Sequence, residues 1–113
     1  MKLPKLEQAF IPDAKITAYL LSDTHASGKY KAVFFKAFGF TIDSWQGLRD
    51  ALLAHAKTYE VTRQVENEDG VKYIIEGALE TPDGRNPAIR AIWIIDADAI
   101  DPRFVTAYPL DEE

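Results

Sequence analysis

The hydrophobic pattern of this chain changes period once, near residue 59, and that change limits the fold more than any other feature. Before it, apolar residues recur at helical spacing; after it, they alternate. Ile16, Tyr19 and Leu20 stand at i, i+3, i+4 and predict a short helix over Asp13–Leu21, with Pro12 suited to its start. Lys31, Phe34, Phe35 and Phe38 stand at i, i+3, i+4, i+7 and share one face of a second helix. That helix opens at Ser27 or Gly28 and closes at Gly39, a natural C-cap. Trp45, Leu48, Leu52 and Ala56 mark the buried stripe of a third, from about Ile42 to Lys57, capped by Thr41 or Asp43. His55, at the edge of that stripe, reads as a surface residue.

After residue 59 the alternation of Tyr59, Val61, Arg63 and Val65 with polar neighbours predicts a half-buried strand. Asn67-Glu68-Asp69-Gly70 is a hairpin turn. Val71–Leu79 is a second strand, with Val71, Tyr73 and Ile75 on one face, and Thr81–Asn86 is a second turn. Ala88–Asp96 is apolar enough to be a central strand. Asp98–Pro102 turns again, and Arg103–Tyr108 is the last strand. The stretch Lys5–Ile11 reads as a short edge strand or an extended arm. The expected fold is therefore α+β: about three N-terminal helices packed on one face of a C-terminal four-stranded antiparallel sheet, residues 1–113 forming a single domain.

The chain has 113 residues, 47% hydrophobic, which suffices for a core, and no cysteine, so disulfide, thiolate and cysteine–zinc chemistry are excluded. A net charge of −5 counts against a broad nucleic-acid footprint but leaves room for a local basic cleft. The lysines gather early, at Lys5, Lys15, Lys29, Lys31 and Lys36; the acids gather in Glu66–Asp69 and the tail Asp111-Glu112-Glu113. No apolar run is long enough to span a membrane and the N-terminus lacks a signal-peptide pattern, so the reading is a soluble, cytoplasmic protein without a membrane partner. No cofactor or metal motif is present: Gly28-Lys29 lacks the rest of a phosphate loop, and Asp96–Asp101 lacks the glycine and terminal glutamate of a calcium loop.

Leu20-Leu21, His25, Gly28, Lys31-Ala32, Phe34-Phe35, Gly39-Phe40, Trp93-Ile94 and Val105–Pro109 together resemble a family of short bacterial proteins classed as a domain of unknown function. The resemblance covers nearly the whole chain and implies no activity by itself. The order of elements also resembles the barnase/EndoU/RelE group of ribonucleases, many of them toxins. That resemblance implies an RNA phosphate surrounded by histidine, lysine or arginine, serine or threonine, and tyrosine side chains.

Five residues supply such a set. Metal-free RNA cleavage needs a base for the ribose 2′-hydroxyl, an acid for the leaving oxygen and a cation for the charge on phosphorus. Histidine is the usual side chain for proton transfer near neutral pH, so His25 is the candidate base or acid. Lys31, on the aromatic face of its helix, serves as the cation. Thr106 and Tyr108, two apart on a strand, present two hydroxyls to one face. Arg90, on the adjacent strand, is a second phosphate clamp. Each has a plainer reading beside it: His25 as a helix cap, Lys31 snorkelling over the phenylalanines, Thr106 and Tyr108 as ordinary strand residues, and Arg90 paired with Glu76. The sequence thus supports a metal-independent ribonuclease of toxin type acting on RNA, or a degenerate relative. The alternative is a non-enzymatic interaction module that binds a protein partner as one half of a toxin–immunity-like pair.

Overall fold

Helices come first and strands afterwards, as the change of period predicts. The structure, a computed structural model, describes residues 1–110; the acidic tail Asp111-Glu112-Glu113 lies outside the described residues. Helix α1 (Asp13–Lys15) runs on as a π-helical stretch (Ile16–Leu20), and α2 (Gly28–Ala37) and α3 (Gln46–Thr58) come next. Strands β1 (Val61–Asn67), β2 (Gly70–Ala78), β3 (Ala88–Asp96) and β4 (Arg103–Pro109) form one antiparallel sheet in the order β1-β2-β3-β4. The most apolar strand, β3, is central, as its composition requires.

The helices bury one face of the sheet. Ile16, Leu20, Phe35, Leu48 and Leu52 pack with Tyr73, Ile75, Ile89, Ala91, Trp93, Phe104 and Ala107 in one apolar cluster. Gly39, at φ 106°, ends α2, its N–H bonding to the Lys36 carbonyl and that of Phe40 to the Phe35 carbonyl. The third helix begins at Gln46, later than expected. Thr41 instead organises the turn before it, its hydroxyl oxygen accepting the Ser44 N–H at 3.1 Å. Lys5–Ile11 is neither a full strand nor a free arm. It makes one 3₁₀ turn (Leu6–Gln8), then pairs Phe10 in parallel with Arg103 along the outer edge of β4.

Two bulges decide what the uncovered face of the sheet displays. Val61 stands opposite Ile75, but the register shifts before Arg63, which stands opposite Ile74. Arg63 therefore turns to the face opposite Val61, although strict alternation would put the two together. A second shift sets Trp93 opposite Phe104 but Ile92 opposite Thr106. Thr106 thus shares a face with Ile92, Tyr108 and Arg90, opposite the one that carries Trp93 and Phe104.

His55 is a correction to the sequence reading. It is 2% exposed, and its Nε2–H donates to the Gly77 carbonyl at 3.1 Å. Gly77 lies in β2, opposite Ile89 of β3, so the imidazole ties α3 to the middle of the sheet. Its stripe position, one residue before Ala56, is compatible with burial; the carbonyl it meets belongs to another element. Burial lowers the His55 pKa from its ordinary 6.5, against the raising influence of the Gly77 carbonyl. An unfolded chain therefore takes this proton at higher pH than the folded one. The stabilising difference is complete above pH 6.5 and is lost as pH falls toward the folded value. Between about pH 7 and about pH 5, the urea midpoint of the wild type should fall more than that of His55→Gln. Parallel falls in the two proteins would contradict this.

Candidate functional site

The tight loop between α1 and α2 is built by its own side chains. The Ser22 hydroxyl oxygen accepts the N–H groups of Thr24 and His25, each at 3.2 Å. The His25 ring then turns back on the start of α2: its Nδ1 accepts the Ser27 N–H at 3.1 Å and the Gly28 N–H at 2.9 Å. These are orphan donors of a helix N-terminus, so the imidazole acts as the cap. With Nδ1 so engaged, the ring is neutral and carries its proton on Nε2.

Tyr19 is the residue on which the neighbouring side chains converge. The edge of the His25 ring meets it, with centroids 4.9 Å apart and planes at 70°. The Nζ of Lys31 lies 5.4 Å from the centre of its ring and that of Lys15 lies 5.3 Å away. Its hydroxyl is 3.0 Å from Thr106 Oγ1, across 87 residues of sequence. Partial burial by itself would raise the phenol. The hydrogen bond with Thr106 and the nearby ammonium groups of Lys31 and Lys15 outweigh it, lowering the pKa from the ordinary 10.0. Two local features allow this convergence. The π-helical stretch, closed by a bond from the Leu21 N–H to the Ile16 carbonyl at 2.9 Å, sets the direction of Tyr19. Gly28 lets α2 approach it, since a Cβ there would collide with the Tyr19 carbonyl and lie 2.8 Å from its Cδ1.

Lys31 leans out of the aromatic face as its spacing predicts. Phe35 is wholly buried, Phe34 and Phe38 are half-buried, and the lysine is half-buried with its ammonium beside Tyr19. Lys36, on the other side of α2, is tied to Asp23 at 2.7 Å.

Arg90 and Tyr108 stand opposite each other on β3 and β4. The guanidinium is 5.8 Å from the Tyr108 ring centre, and its Nε donates to Glu76 at 2.7 Å. Tyr108 and Glu76 both hold the arginine in its charged form. With Thr62, Arg63 and Ile74 they line a hollow of about 230 Å³ on the uncovered face. A second, more open hollow of about 540 Å³ is lined by Pro12, Ala14, Lys15, Ala18, Tyr19 and His25. A third, of about 520 Å³, lies between α3 and the Thr81–Asn86 turn and includes none of these residues.

The five residues singled out from the sequence thus fall into two neighbouring groups. His25, Lys31 and Thr106 meet at Tyr19; Arg90 and Tyr108 meet on the sheet. Strand β4 joins the groups, because Thr106 and Tyr108 lie on one face roughly 6–7 Å apart along the strand. The sequence pattern places Tyr19 in the core and does not single out Lys15 or Arg63. The available signal is that a half-buried tyrosine needs a partner for its hydroxyl, which a leucine on the same stripe would not. Among the described residues, no three of His, Asp and Glu are grouped to hold a metal ion. No helix among them is long and apolar enough to cross a membrane.

A family model described as a domain of unknown function (DUF6883) matches residues 2–111. No curated protein matches the sequence. Among solved structures, the chain is similar to one chain of a contact-dependent growth inhibition toxin–immunity protein complex from Klebsiella pneumoniae 342. The two are 18% identical, the match covers 88% of this chain and 98% of that one, and the TM-score is 0.69. At that identity the likeness is one of fold.

Proposed function

The chain belongs to the DUF6883 family, and from the meeting of its candidate residues along β4 we propose that it is a metal-independent ribonuclease, the toxin of a toxin–immunity pair acting in the cytoplasm. The observation that carries this reading is the Tyr19–Thr106 hydrogen bond at 3.0 Å. It joins the helical group of His25 and Lys31 to the strand group of Tyr108 and Arg90. The fold shared with a chain of a toxin–immunity complex supports the pairing with a protein partner.

An RNA phosphate seated beside β4 meets groups suited to it. Lys31 and Arg90 supply positive charge for the oxygens on phosphorus as the bond order changes. The Thr106 hydroxyl orients one of those oxygens. His25, while it caps α2, donates from Nε2–H and fixes the phosphate rather than moving a proton. Tyr108, with the Arg90 guanidinium 5.8 Å from its ring centre, protonates the leaving 5′-oxygen. The net charge of −5 does not oppose this, because Lys15 lines one hollow, Arg63 and Arg90 line the other, and Lys31 lies beside Tyr19.

The test is incubation of purified protein with total RNA in excess EDTA. Fragmentation by the wild type is the expected result. Intact RNA in the presence of folded protein would overturn the reading. It would favour the non-enzymatic module, for which Tyr30 and Val33, 71% and 70% exposed on α2, are the natural contact residues.

A further inference from the structure

The site as described has a donor to the phosphate, two cations and an acid for the leaving group, but no group to take the proton from the attacking 2′-hydroxyl. His25 does not fill that place, because its Nδ1 is committed to the Ser27 and Gly28 N–H groups. We propose that Tyr19 is the catalytic base of this site, its phenolate oxygen accepting the proton of the ribose 2′-hydroxyl between Lys31 and Thr106. This role for Tyr19 rests on the ribonuclease reading and adds a residue to it.

Three features of geometry support the assignment. The Tyr19 oxygen is already placed at β4 by its bond with Thr106 Oγ1, so it faces the same phosphate as the strand hydroxyls. Two ammonium groups lie 5.3 and 5.4 Å from the centre of its ring, where they stabilise the phenolate. The hollow lined by Pro12, Ala14, Lys15, Ala18, Tyr19 and His25 gives a nucleotide access to the same ring. The lowered phenol pKa agrees with this arrangement.

Atoms and charge balance in the step. The 2′-hydroxyl proton passes to the Tyr19 phenolate and the 2′-oxygen forms a bond to phosphorus. The bond from phosphorus to the 5′-oxygen breaks, and that oxygen takes the Tyr108 proton. The products are a 2′,3′-cyclic phosphate and a 5′-hydroxyl, and exchange with water returns both tyrosines to their starting forms.

The experiment compares single-turnover cleavage by the wild type, Tyr19→Phe and Lys31→Met across pH in EDTA. A parallel titration monitors phenolate absorbance. A general base contributes about 10²–10⁴-fold, so Tyr19→Phe should lose at least about 100-fold in rate and lose the rise of rate with pH. Lys31→Met should move that rise to higher pH, since a charge that favours the phenolate is gone. Thr106→Val should move it in the same direction. A merely structural tyrosine would change the rate without moving the profile. In the titration, one tyrosine ionising below 10.0 should be present in the wild type and missing in Tyr19→Phe. A Tyr19→Phe enzyme with undiminished rate and an unchanged profile would overturn the assignment while leaving the ribonuclease reading intact. A wild type that shows the early phenolate but leaves RNA whole would overturn both.

Discussion

Replacing Gly28 with alanine should destabilise the protein by about 1–3 kcal/mol, although alanine is the better helix former. Gly28 opens α2 and is buried against the π-helical stretch. The new methyl group would run into the Tyr19 carbonyl, which is backbone, and into Cδ1 of its ring at 2.8 Å. Neither yields without separating α2 from the stretch that carries Tyr19. Gly47 provides the internal control, because nothing lies within 4 Å of a Cβ added there. Gly47→Ala should stabilise by about 0.5–1 kcal/mol from the unfolded-chain and helix-propensity effects. In thermal unfolding, where each kcal/mol is worth roughly 4–8 °C for a domain near this size, the two alanines should shift the midpoint in opposite directions. Equal shifts would mean that the helix contact at Gly28 is not tight. Because His25 caps α2 through the Gly28 N–H, the Gly28 variant should also lose activity beyond its loss of folded protein.

Replacing Lys31 with methionine should lower the cleavage rate by about 10²–10³-fold, the usual cost of removing one preorganised group that stabilises transition-state charge. Methionine keeps an unbranched apolar stem and deletes only the ammonium, so folding should change little. The matched control is Lys36→Met on the other side of α2. That lysine is engaged with Asp23, its side chain 33% exposed and the aspartate 75% exposed. A surface pair of this kind is worth about 0–1 kcal/mol and touches none of the site residues. Lys36→Met should therefore cleave as the wild type does. Equal losses in the two variants would show that the protein's general charge matters rather than the place of Lys31.

Part of this site is legible in the sequence, and the rest is concealed for identifiable reasons. Lys31 among phenylalanines announces itself, because a charge on an apolar face needs a use. The shared face of Thr106 and Tyr108 comes from strand periodicity, and the position of Arg90 opposite Tyr108 comes from the meander. The pairing of Arg90 with Glu76 is legible too, from the same register. Tyr19 is not legible, because its i, i+3, i+4 stripe with Ile16 and Leu20 says only that it faces inward. Its partner Thr106 is 87 residues away. Alternation puts Arg63 on the wrong face because the bulge after Val61 has no local signal in a run of ordinary strand residues. His55 is misplaced for a similar reason: its partner, the Gly77 carbonyl, is 22 residues away on β2 and meets it only in the assembled fold. The fold is easier to read than the site because it depends on period within segments, whereas the site depends on which segment ends meet.

The most direct measurement of the central claim is the chemistry of the RNA ends left by the wild type in excess EDTA. Cleavage through the ribose 2′-hydroxyl predicts 2′,3′-cyclic phosphate and 5′-hydroxyl ends, and no cut at a position where a single 2′-deoxynucleotide is substituted. Ends bearing a 5′-phosphate, cutting at the deoxy position, or RNA left whole by folded protein would contradict it.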